Sequence, residues 1–225
     1  MSYKLELHAH SKSVSACSST PEEMVAQLYI DAGYDGIVLS NHYSSYTLHH
    51  FLKGESFEAN VNTYIDAARK VREAAKGKLD VILGCEIHIA DSSNDYLLFG
   101  FDEDFLYNEE ILSYNIDKLS ALCREKGILI FQAHPFRNGM RVVNPKLLDG
   151  IEVYNGHKSH DSRNTIADAW ADRFGLRKSS GSDFHDPTSQ IDGGILIGSR
   201  ITTQKELKDV LLSSEYKLVK EYDLP

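Results

Sequence analysis

Short apolar runs alternate with amphipathic helical patterns along almost the whole chain. The runs have the length and composition of buried strands, and they occupy 3–7, 34–40, 79–83, 95–101, 128–132 and 150–154. A further short run precedes Gly181, and two strand-like segments follow at 194–201 and 216–220. Strands that alternate with helices predict a mostly parallel sheet that is covered by its helices. The sequence therefore predicts an α/β fold.

The helical segments have recognisable ends. Thr20 can cap the first helix, Pro21 suits its first turn, and Gly33 can end it. Glycines at 77 and 127 close the second and third helices in the same way. The predicted helices are 20–33, 56–76, 111–126, 161–174 and 204–212. Nothing in the pattern marks a domain boundary, so we expect one domain over residues 1–225.

Potential metal ligands follow the apolar runs. His8 and His10 stand two apart after the first run, so on an extended strand they project to the same side. Glu86 stands near the end of an apolar run, where a carboxylate is costly unless it forms a salt bridge or binds a metal. His134 precedes Pro135, which predicts an extended backbone at the histidine. The candidate ligands are His8, His10, His42, Glu86, His134, Asp183 and His185.

Placement of these ligands after nearly every strand favours a closed or nearly closed barrel. In such a barrel the carboxyl ends of the strands meet on one rim, so the imidazoles and carboxylates would converge there. A polynuclear metal site in the mouth of a barrel is normally hydrolytic. The sequence therefore predicts a metal-dependent hydrolase.

Charge and cysteine content limit the partners and the compartment. The chain has 24 basic and 33 acidic residues, a net charge of −9, which disfavours duplex nucleic acid and anionic membranes as partners. A small phosphorylated substrate remains compatible, because bound cations would invert the local field. Three cysteines without a short paired spacing predict no disulfide framework. With no signal-peptide pattern and no long apolar run, we expect a cytoplasmic protein that does not associate with membranes.

The order of these motifs resembles the PHP (polymerase and histidinol phosphatase) family. The matching elements are His8-Ala9-His10, His42 at the end of the second strand, Glu86, His134-Pro135, and Gly181-Ser182-Asp183-Phe184-His185. The resemblance runs from about residue 5 to about residue 186. It implies a distorted seven-stranded β/α barrel related to the TIM barrel. It also implies two or three divalent ions, which are zinc, manganese or iron, and phosphoesterase activity.

The resemblance also implies how the ligands are shared. One ion would take His8, His10, Glu86 and Asp183, a second would share Glu86 and take His134, and a third would take His42 and His185. The chain departs from the family pattern at three places. Asn41 stands where the family often has Asp, and Asp102 stands where some members have a histidine after the fourth strand. Many members also have a further His or Asp shortly after the first motif, and in this chain only Cys17 could replace that ligand. Cys17 is either a thiolate ligand or an inert thiol.

Residues near the ligands suggest how a substrate would bind. Arg137 follows His134 by three residues, where its guanidinium would either clamp a phosphate or form a surface salt bridge. His157 and Lys158 follow the sixth strand and face the same rim. These residues favour a phosphoesterase that acts on a small phosphorylated metabolite or nucleotide through a metal-activated water. Either a metal-bound water, or His185 if it is free of metal, would protonate the leaving group.

Two alternatives to the phosphoesterase remain open. The first is an amide or lactone hydrolase, since related barrels with metal at the mouth also cleave carbonyl compounds. The second is a metal-binding module without turnover, which the missing ligand after His10 supports. The sequence leaves the oligomeric state open.

Overall fold

The computed structural model describes residues 2–90 and 92–220. The strands are β1 (Tyr3–Ala9), β2 (Gly36–Leu39), β3 (His42–Tyr43), β4 (Asp80–Leu83), β5 (Glu86–His88), β6 (Asp95–Phe99), β7 (Leu129–Gln132), β8 (Gly150–Asn155), β9 (Arg177–Gly181), β10 (Ile195–Ile197) and β11 (Lys217–Leu218). The helices are α1 (Glu22–Asp31), α2 (Phe57–Ala75), α3 (Ile116–Lys126), α4 (Asn164–Phe174) and α5 (Gln204–Ser213). Single turns of other helix types lie at Thr47–Phe51, Glu103–Tyr107, Glu109–Ser113 and Pro145–Leu147.

All five predicted helices are present, with ends that differ from the prediction by a few residues. The third helix begins later than predicted because Glu109–Ser113 forms a separate 3₁₀ turn and Asn115 caps α3 by accepting the backbone N–H of Lys118. Gly127 ends α3 in the left-handed conformation, as predicted. Thr20 does not cap α1, whose N-terminal neighbour is Pro21. Among the described residues, no helix has the length and apolar character needed to cross a bilayer.

The strands form two mixed sheets, and the described residues show no closed barrel, so the predicted seven-stranded barrel is not confirmed. One sheet has the order β11-β10-β1-β2-β4, and the other has the order β3-β5-β6-β7-β8-β9. Strands β1, β2 and β4 are mutually parallel, as are β7, β8 and β9, whereas β6 runs antiparallel to both of its neighbours. The second and third predicted strands are each interrupted before they reach their ligand. The second predicted strand becomes β2 and β3, and the third becomes β4 and β5. Because β2 and β4 lie in one sheet and β3 and β5 in the other, the described strands do not form one continuous sheet.

Backbone hydrogen bonds join the two sheets along two seams. At one seam, Gly84 donates to Leu39 at 2.9 Å and Glu86 donates to Asn41 at 3.1 Å. At the other, His10 donates to Phe184 at 2.9 Å, and Ala9 forms an isolated parallel bridge with Phe184. The carboxyl ends of the parallel strands of both sheets therefore lie on one rim, where the candidate ligands are found.

The strands are buried on both faces, which explains their continuous apolar runs. Val38 and Ile82 belong to a cluster that contains residues from both sheets and from α5. Ile37 and Val81, their neighbours in sequence, belong to a second cluster with residues of α1 and α2. Because successive side chains point to opposite faces, a strand between two apolar layers must be apolar at every position. The ligands are polar exceptions at the ends of these runs.

Candidate metal centre

The seven predicted ligands converge on one rim although they are spread over almost the whole sequence. His8 lies near the end of β1 and His10 just beyond it, while His42 and Glu86 begin β3 and β5. His134 lies two residues past β7, and Asp183 and His185 follow β9. His8, His10, Glu86, His134 and Asp183 are buried, and His42 and His185 are partly exposed.

Glu86 lies at the centre of the cluster and contacts four imidazoles. Its Oε1 is 3.2 Å from Nε2 of His8 and 3.1 Å from Nε2 of His134. Its Oε2 is 2.7 Å from Nδ1 of His42 and 3.6 Å from Nε2 of His10. A carboxylate whose two oxygens face different imidazoles would be able to hold more than one divalent ion.

Asp183 joins the last segment of the cluster to the first. Its Oδ1 is 3.4 Å from Nε2 of His8, 3.2 Å from Nε2 of His10 and 3.4 Å from Nδ1 of His185. The His185 ring stacks on that of His10 with the centroids 4.1 Å apart. The pair His8 and His10 therefore faces the pair Asp183 and His185. In each pair the two residues stand two positions apart in the sequence.

The donor atoms group into three sets that fit divalent ions. Within each set the ligand atoms lie within 4.8 Å of one another, and the sets are His8, His10 and Asp183; His8, Glu86 and His134; and His10, His42 and His185. Nε2 of His8 and Nε2 of His10 are buried without a hydrogen-bond partner in the described part of the chain. Buried polar atoms without partners are rare and need an explanation, which an ion would supply. Imidazole with carboxylate suits zinc, iron and manganese alike.

The carboxylates and His10 have the protonation states that bind metal, whereas burial is outweighed by nearby carboxylates at His8 and His42, which raise the pKa of each well above its usual value. Burial by itself would raise the pKa of Glu86 and Asp183, but the surrounding histidines, His8 first among them, hold both well below their usual values. The pKa of His10 is lowered well below its usual value by burial and by His185 and His42. Ionised carboxylates and a neutral imidazole are the forms that bind metal.

Two of the candidate ligands have a left-handed backbone. The φ angle of His134 is 29° and that of Asp183 is 49°, so the extended backbone predicted from Pro135 is wrong for His134. A hydrogen bond supports this conformation: the backbone N–H of His134 donates to Oε2 of the buried Glu152 at 2.9 Å. Residues held in such regions cost on the order of 1–3 kcal/mol and are concentrated at functional sites.

A cavity of about 630 Å³ opens directly above the ligands. The predicted substrate residues Arg137 and His157 both line it, together with Lys158. The Arg137 guanidinium lies 3.5 Å from Oδ2 of Asp95, and the His157 ring lies 5.3 Å from that of His185. The remaining lining residues are Cys17, His42, His134, Ser159, His160, Asp183, His185, Asp186, Thr188, Ser189 and Gln190. The arrangement offers cationic and imidazole side chains to an anionic group held over the cluster.

Cys17 lies beside the third set of ligands and lines the same cavity. Partial desolvation raises the pKa of its thiol, but hydrogen bonds with His185 and His42 outweigh this and bring the pKa to about 6. Asn41, the departure from the family pattern on the second strand, accepts hydrogen bonds from Ser11 N at 2.7 Å and Ser15 Oγ at 2.9 Å. It therefore orders the segment that leads to Cys17.

Asp102 does not lie at the metal centre, because β6 runs in the opposite direction from the prediction. In its pairing with β5, Asp95 at the start of β6 lies opposite His88, while Phe99 at its end pairs with Leu129 at the start of β7. Asp102 lines a separate pocket with Phe101 and Lys126. The start of β6 supplies Asp95 instead, whose Oδ2 is 3.9 Å from Nε2 of His134.

The sequence interpretation missed two further polar residues, Glu152 and Asn155 on β8. Oε1 of Glu152 is 2.8 Å from Nδ1 of His8, and Nδ2 of Asn155 donates to Oδ2 of Asp183 at 3.1 Å. Glu152 shows the same signal that identified Glu86, a carboxylate within an apolar run. No signal in the sequence identified Asn155.

A family model for the PHP domain matches residues 6–182. The chain belongs to the PHP family. The family binds divalent metals and includes metal-dependent phosphoesterases, and the histidine and acidic sets of this chain fit such metal sites. Comparison with the curated proteins found no match.

Several solved structures share this PHP fold at low sequence identity. A two-domain protein from Bacteroides vulgatus that contains a predicted PHP-like metal-dependent phosphoesterase has a TM-score of 0.69 at 15% identity, over 98% of this chain and 65% of its own. A structure from Bifidobacterium adolescentis, described as a candidate metal-dependent phosphoesterase, has a TM-score of 0.59 at 14% identity, over 93% of this chain and 96% of its own. This chain thus spans about two thirds of the Bacteroides protein. At such identities the likeness establishes the fold.

A third similar structure corrects the expectation about nucleic acid. Endonuclease Q, in a complex with a 27-mer duplex whose abasic lesion lies at the active site, has a TM-score of 0.58 at 14% identity, over 95% of this chain and 57% of its own. A protein with this fold therefore brings a duplex to its active site, and the exclusion of duplex nucleic acid from the net charge of −9 was wrong. Net charge describes the whole surface, whereas binding depends on the field at the site.

Proposed function

We propose that this PHP protein hydrolyses phosphate esters of small metabolites or nucleotides with divalent ions at the ligand cluster. The observation that carries the proposal is the position of Glu86, in contact with four imidazoles beneath a cavity lined by Arg137. Divalent ions, when bound, supply a nucleophile near neutral pH and offset the charge that develops on phosphoryl oxygens.

The proposed ligand sets follow the distances in the cluster. We assign His8, His10, Glu86 and Asp183 to the first ion, and Glu86, His134 and Asp95 to the second. His42 and His185, beside Cys17, are assigned to the third. Asp95 replaces Asp102 in this scheme because only Asp95 lies near His134. Zinc, manganese and iron all suit these donors.

Arg137 is the proposed anchor for the phosphate. Its side chain is 21% exposed, lines the cavity and interacts with Asp95 at 3.5 Å, a separation at which the guanidinium can still turn toward an incoming anion. A guanidinium binds two phosphate oxygens at once, which fixes the orientation of the ester as well as its charge. His157 and Lys158 would contact the rest of the substrate at the rim.

The hydrogen bonds of His185 favour its role as a ligand over its role as an acid. Its Nδ1 lies 2.9 Å from the backbone oxygen of Asp183, and a carbonyl oxygen can only accept, so this nitrogen carries the proton. In the neutral ring the lone pair is then on Nε2, which faces Nε2 of His42 at 3.4 Å. Under this assignment the proton for the leaving group comes from solvent.

The test of the proposal is the loss of turnover in ligand variants. We expect His10→Ala and Asp183→Ala to abolish hydrolysis of an aryl phosphate by protein loaded with zinc, manganese or iron. His49→Ala is the matched control, since His49 interacts with Glu109 away from the cluster, and it should keep wild-type turnover. Wild-type turnover in both ligand variants would reject the proposal.

Cleavage of a nucleic-acid phosphodiester is the second candidate, and the likeness to Endonuclease Q favours it. A substrate panel separates the candidates when it contains phosphorylated metabolites, nucleotides and a duplex with an abasic site. Amides and lactones in the same panel test the carbonyl-hydrolase alternative. Fewer than two ions per chain by elemental analysis, with no turnover on any substrate, would indicate a metal-binding module.

A further inference from the structure

Two buried side chains of β8 contact three of the candidate ligands. Glu152 is 1% exposed and Asn155 is 5% exposed, and both extend from their strand toward the end of β1 and the turn after β9. They reach His8, His134 and Asp183. Neither lines the cavity above the cluster, so they act on the ligands from the side away from substrate.

Glu152 fixes where the proton of His8 resides. Its Oε1 lies 2.8 Å from Nδ1 of His8, and an ionised carboxylate can only accept, so Nδ1 donates. Nε2 then carries the lone pair of the neutral ring. This nitrogen faces Glu86 at 3.2 Å and Asp183 at 3.4 Å without a hydrogen bond to either. The contact thus orients both the ring and its tautomer toward the ligand set.

The other oxygen of Glu152 holds His134, and Asn155 holds Asp183. Oε2 of Glu152 accepts the backbone N–H of His134 and Nδ2 of Asn155, each at 2.9 Å. The same Nδ2 donates to Oδ2 of Asp183 at 3.1 Å. Oδ1 of Asn155 accepts from Ser162 Oγ and from the backbone N–H of His157, which fixes the amide orientation. One continuous network therefore connects ligands from three separate segments of the chain.

The backbone of β9 passes close to both members of the His8–Glu152 pair. A Cβ atom at Gly181 would lie 2.3 Å from Cβ of His8 and 2.8 Å from Oε1 of Glu152. Only glycine lets the backbone of β9 approach both side chains so closely. The His8–Glu152 pair is thus confined between β1, β8 and β9.

We propose that Glu152 is the positioning residue of the metal centre. It fixes His8 as the Nδ1–H tautomer with Nε2 presented to an ion, and with Asn155 it preforms the geometry of His134 and Asp183. Carboxylates that accept the second N–H of a metal-bound histidine typically contribute 10- to 100-fold to metal affinity. This inference rests on the proposed function, because it requires that the cluster bind divalent ions.

The experiment compares zinc affinity in wild-type protein and in Glu152→Gln by competition with a chromophoric chelator. A glutamine has one acceptor oxygen, so its NH₂ group must face a donor at either His8 or His134, and we expect zinc affinity to fall by about 10- to 100-fold. Asp80→Asn is the matched control, since it removes a strand carboxylate at the opposite end of the parallel strands, where Asp80 interacts with Arg200. Its zinc affinity should equal that of wild type.

A second measurement needs no variant. In zinc-loaded wild-type protein, long-range nitrogen–proton NMR correlations should show the His8 proton on Nδ1 and the metal on Nε2. Metal on Nδ1, or unchanged zinc affinity in folded Glu152→Gln, would overturn the positioning role while leaving the proposed phosphoesterase intact. A wild-type protein that binds no divalent ion would overturn both.

Discussion

Glu86 shows how a single buried side chain can be tied to one function. An ionised carboxylate that is fully removed from water costs several kcal/mol unless its surroundings compensate. Here four imidazoles surround it, and their influence lowers its pKa despite burial. The same imidazoles leave nitrogen atoms without hydrogen-bond partners. The unpartnered nitrogens support the proposed role of Glu86 as a metal ligand over a role in a salt bridge alone.

Arg137 allows a test of the substrate class at the level of one residue. We expect Arg137→Ala to lower kcat/KM for a phosphate ester by about 10- to 100-fold, because a hydrogen bond to a charged group contributes roughly 1.5–3 kcal/mol. Arg137→Lys should recover only part of the loss, since an ammonium cannot bind two oxygens in one plane. Steady-state kinetics on metal-loaded protein measure both.

Arg124→Ala is the control for this substitution, because Arg124 is exposed on α3 and donates to Lys146 away from the cavity. If phosphoester turnover is intact in Arg137→Ala while an amide or lactone is cut well, the carbonyl-hydrolase alternative is correct.

At the scale of elements, the direction of one strand decided which carboxylate approaches the site. The apolar pattern of β6 identifies a strand but carries no sign of its direction. Parallel placement would have brought Asp102 to the rim, whereas the antiparallel pairing with β5 and β7 brings Asp95 there. The turn between β5 and β6 is short, and a short connection requires antiparallel neighbours, since a parallel crossover needs a dozen or more residues. Only seven positions separate His88 from Asp95.

Asp80 links β4, β1 and the segment before α5 at the opposite end of the parallel strands, and its role depends on pH. It begins β4, accepts the Tyr3 hydroxyl of β1 at 2.9 Å, and accepts Nε and Nη2 of Arg200 at 2.7 Å each. The Arg200 guanidinium, followed by the Tyr3 hydroxyl, holds the pKa of Asp80 below its usual value of 3.8, although burial opposes this. A carboxyl whose pKa is lower in the folded state stabilises the fold above its unfolded pKa. That contribution is lost as the pH falls through the folded value.

We therefore expect Asp80→Asn to lower the unfolding midpoint at pH 7. The difference from wild type should shrink below about pH 4, where the wild-type carboxyl also becomes neutral. The measurement is urea unfolding of both proteins from pH 7 to pH 3. The control is Asp209→Asn, because Asp209 is exposed. A difference that is constant from pH 7 to pH 3 would show that the charge of Asp80 contributes nothing.

At the scale of the whole molecule, the cluster joins both sheets. Its ligands come from β1, β3, β5 and the segments after β7 and β9, so each ion would tie together parts of the chain that are distant in sequence. An unfolded chain cannot present these donors together. Bound ions therefore favour the folded state by mass action.

Removal of metal should lower the thermal stability of the protein. With free zinc at about 1,000 times its dissociation constant the stabilisation is roughly 4 kcal/mol, which for a domain of this size is on the order of 10 °C in Tm. Calorimetry of zinc-loaded and chelator-treated protein measures the shift. The shift should grow with zinc concentration in wild type and be much smaller in His10→Ala. Equal Tm values with and without chelator would show that the cluster binds no ion in the folded state.

The sequence by itself determined the α/β class, the five helices and the residues that converge on one rim. These features are local, because helix spacing, caps and the polar residues that end apolar runs are all written in neighbouring positions. The tertiary structure decided the division into two sheets, the replacement of Asp102 by Asp95 and the left-handed backbone at His134. It also decided that Glu152 and Asn155 support His8, His134 and Asp183. These features depend on which strands pair and in which direction, and the apolar pattern of a single strand carries no sign of either. The hydrogen bond between His8 and Glu152, for example, joins residues 144 positions apart.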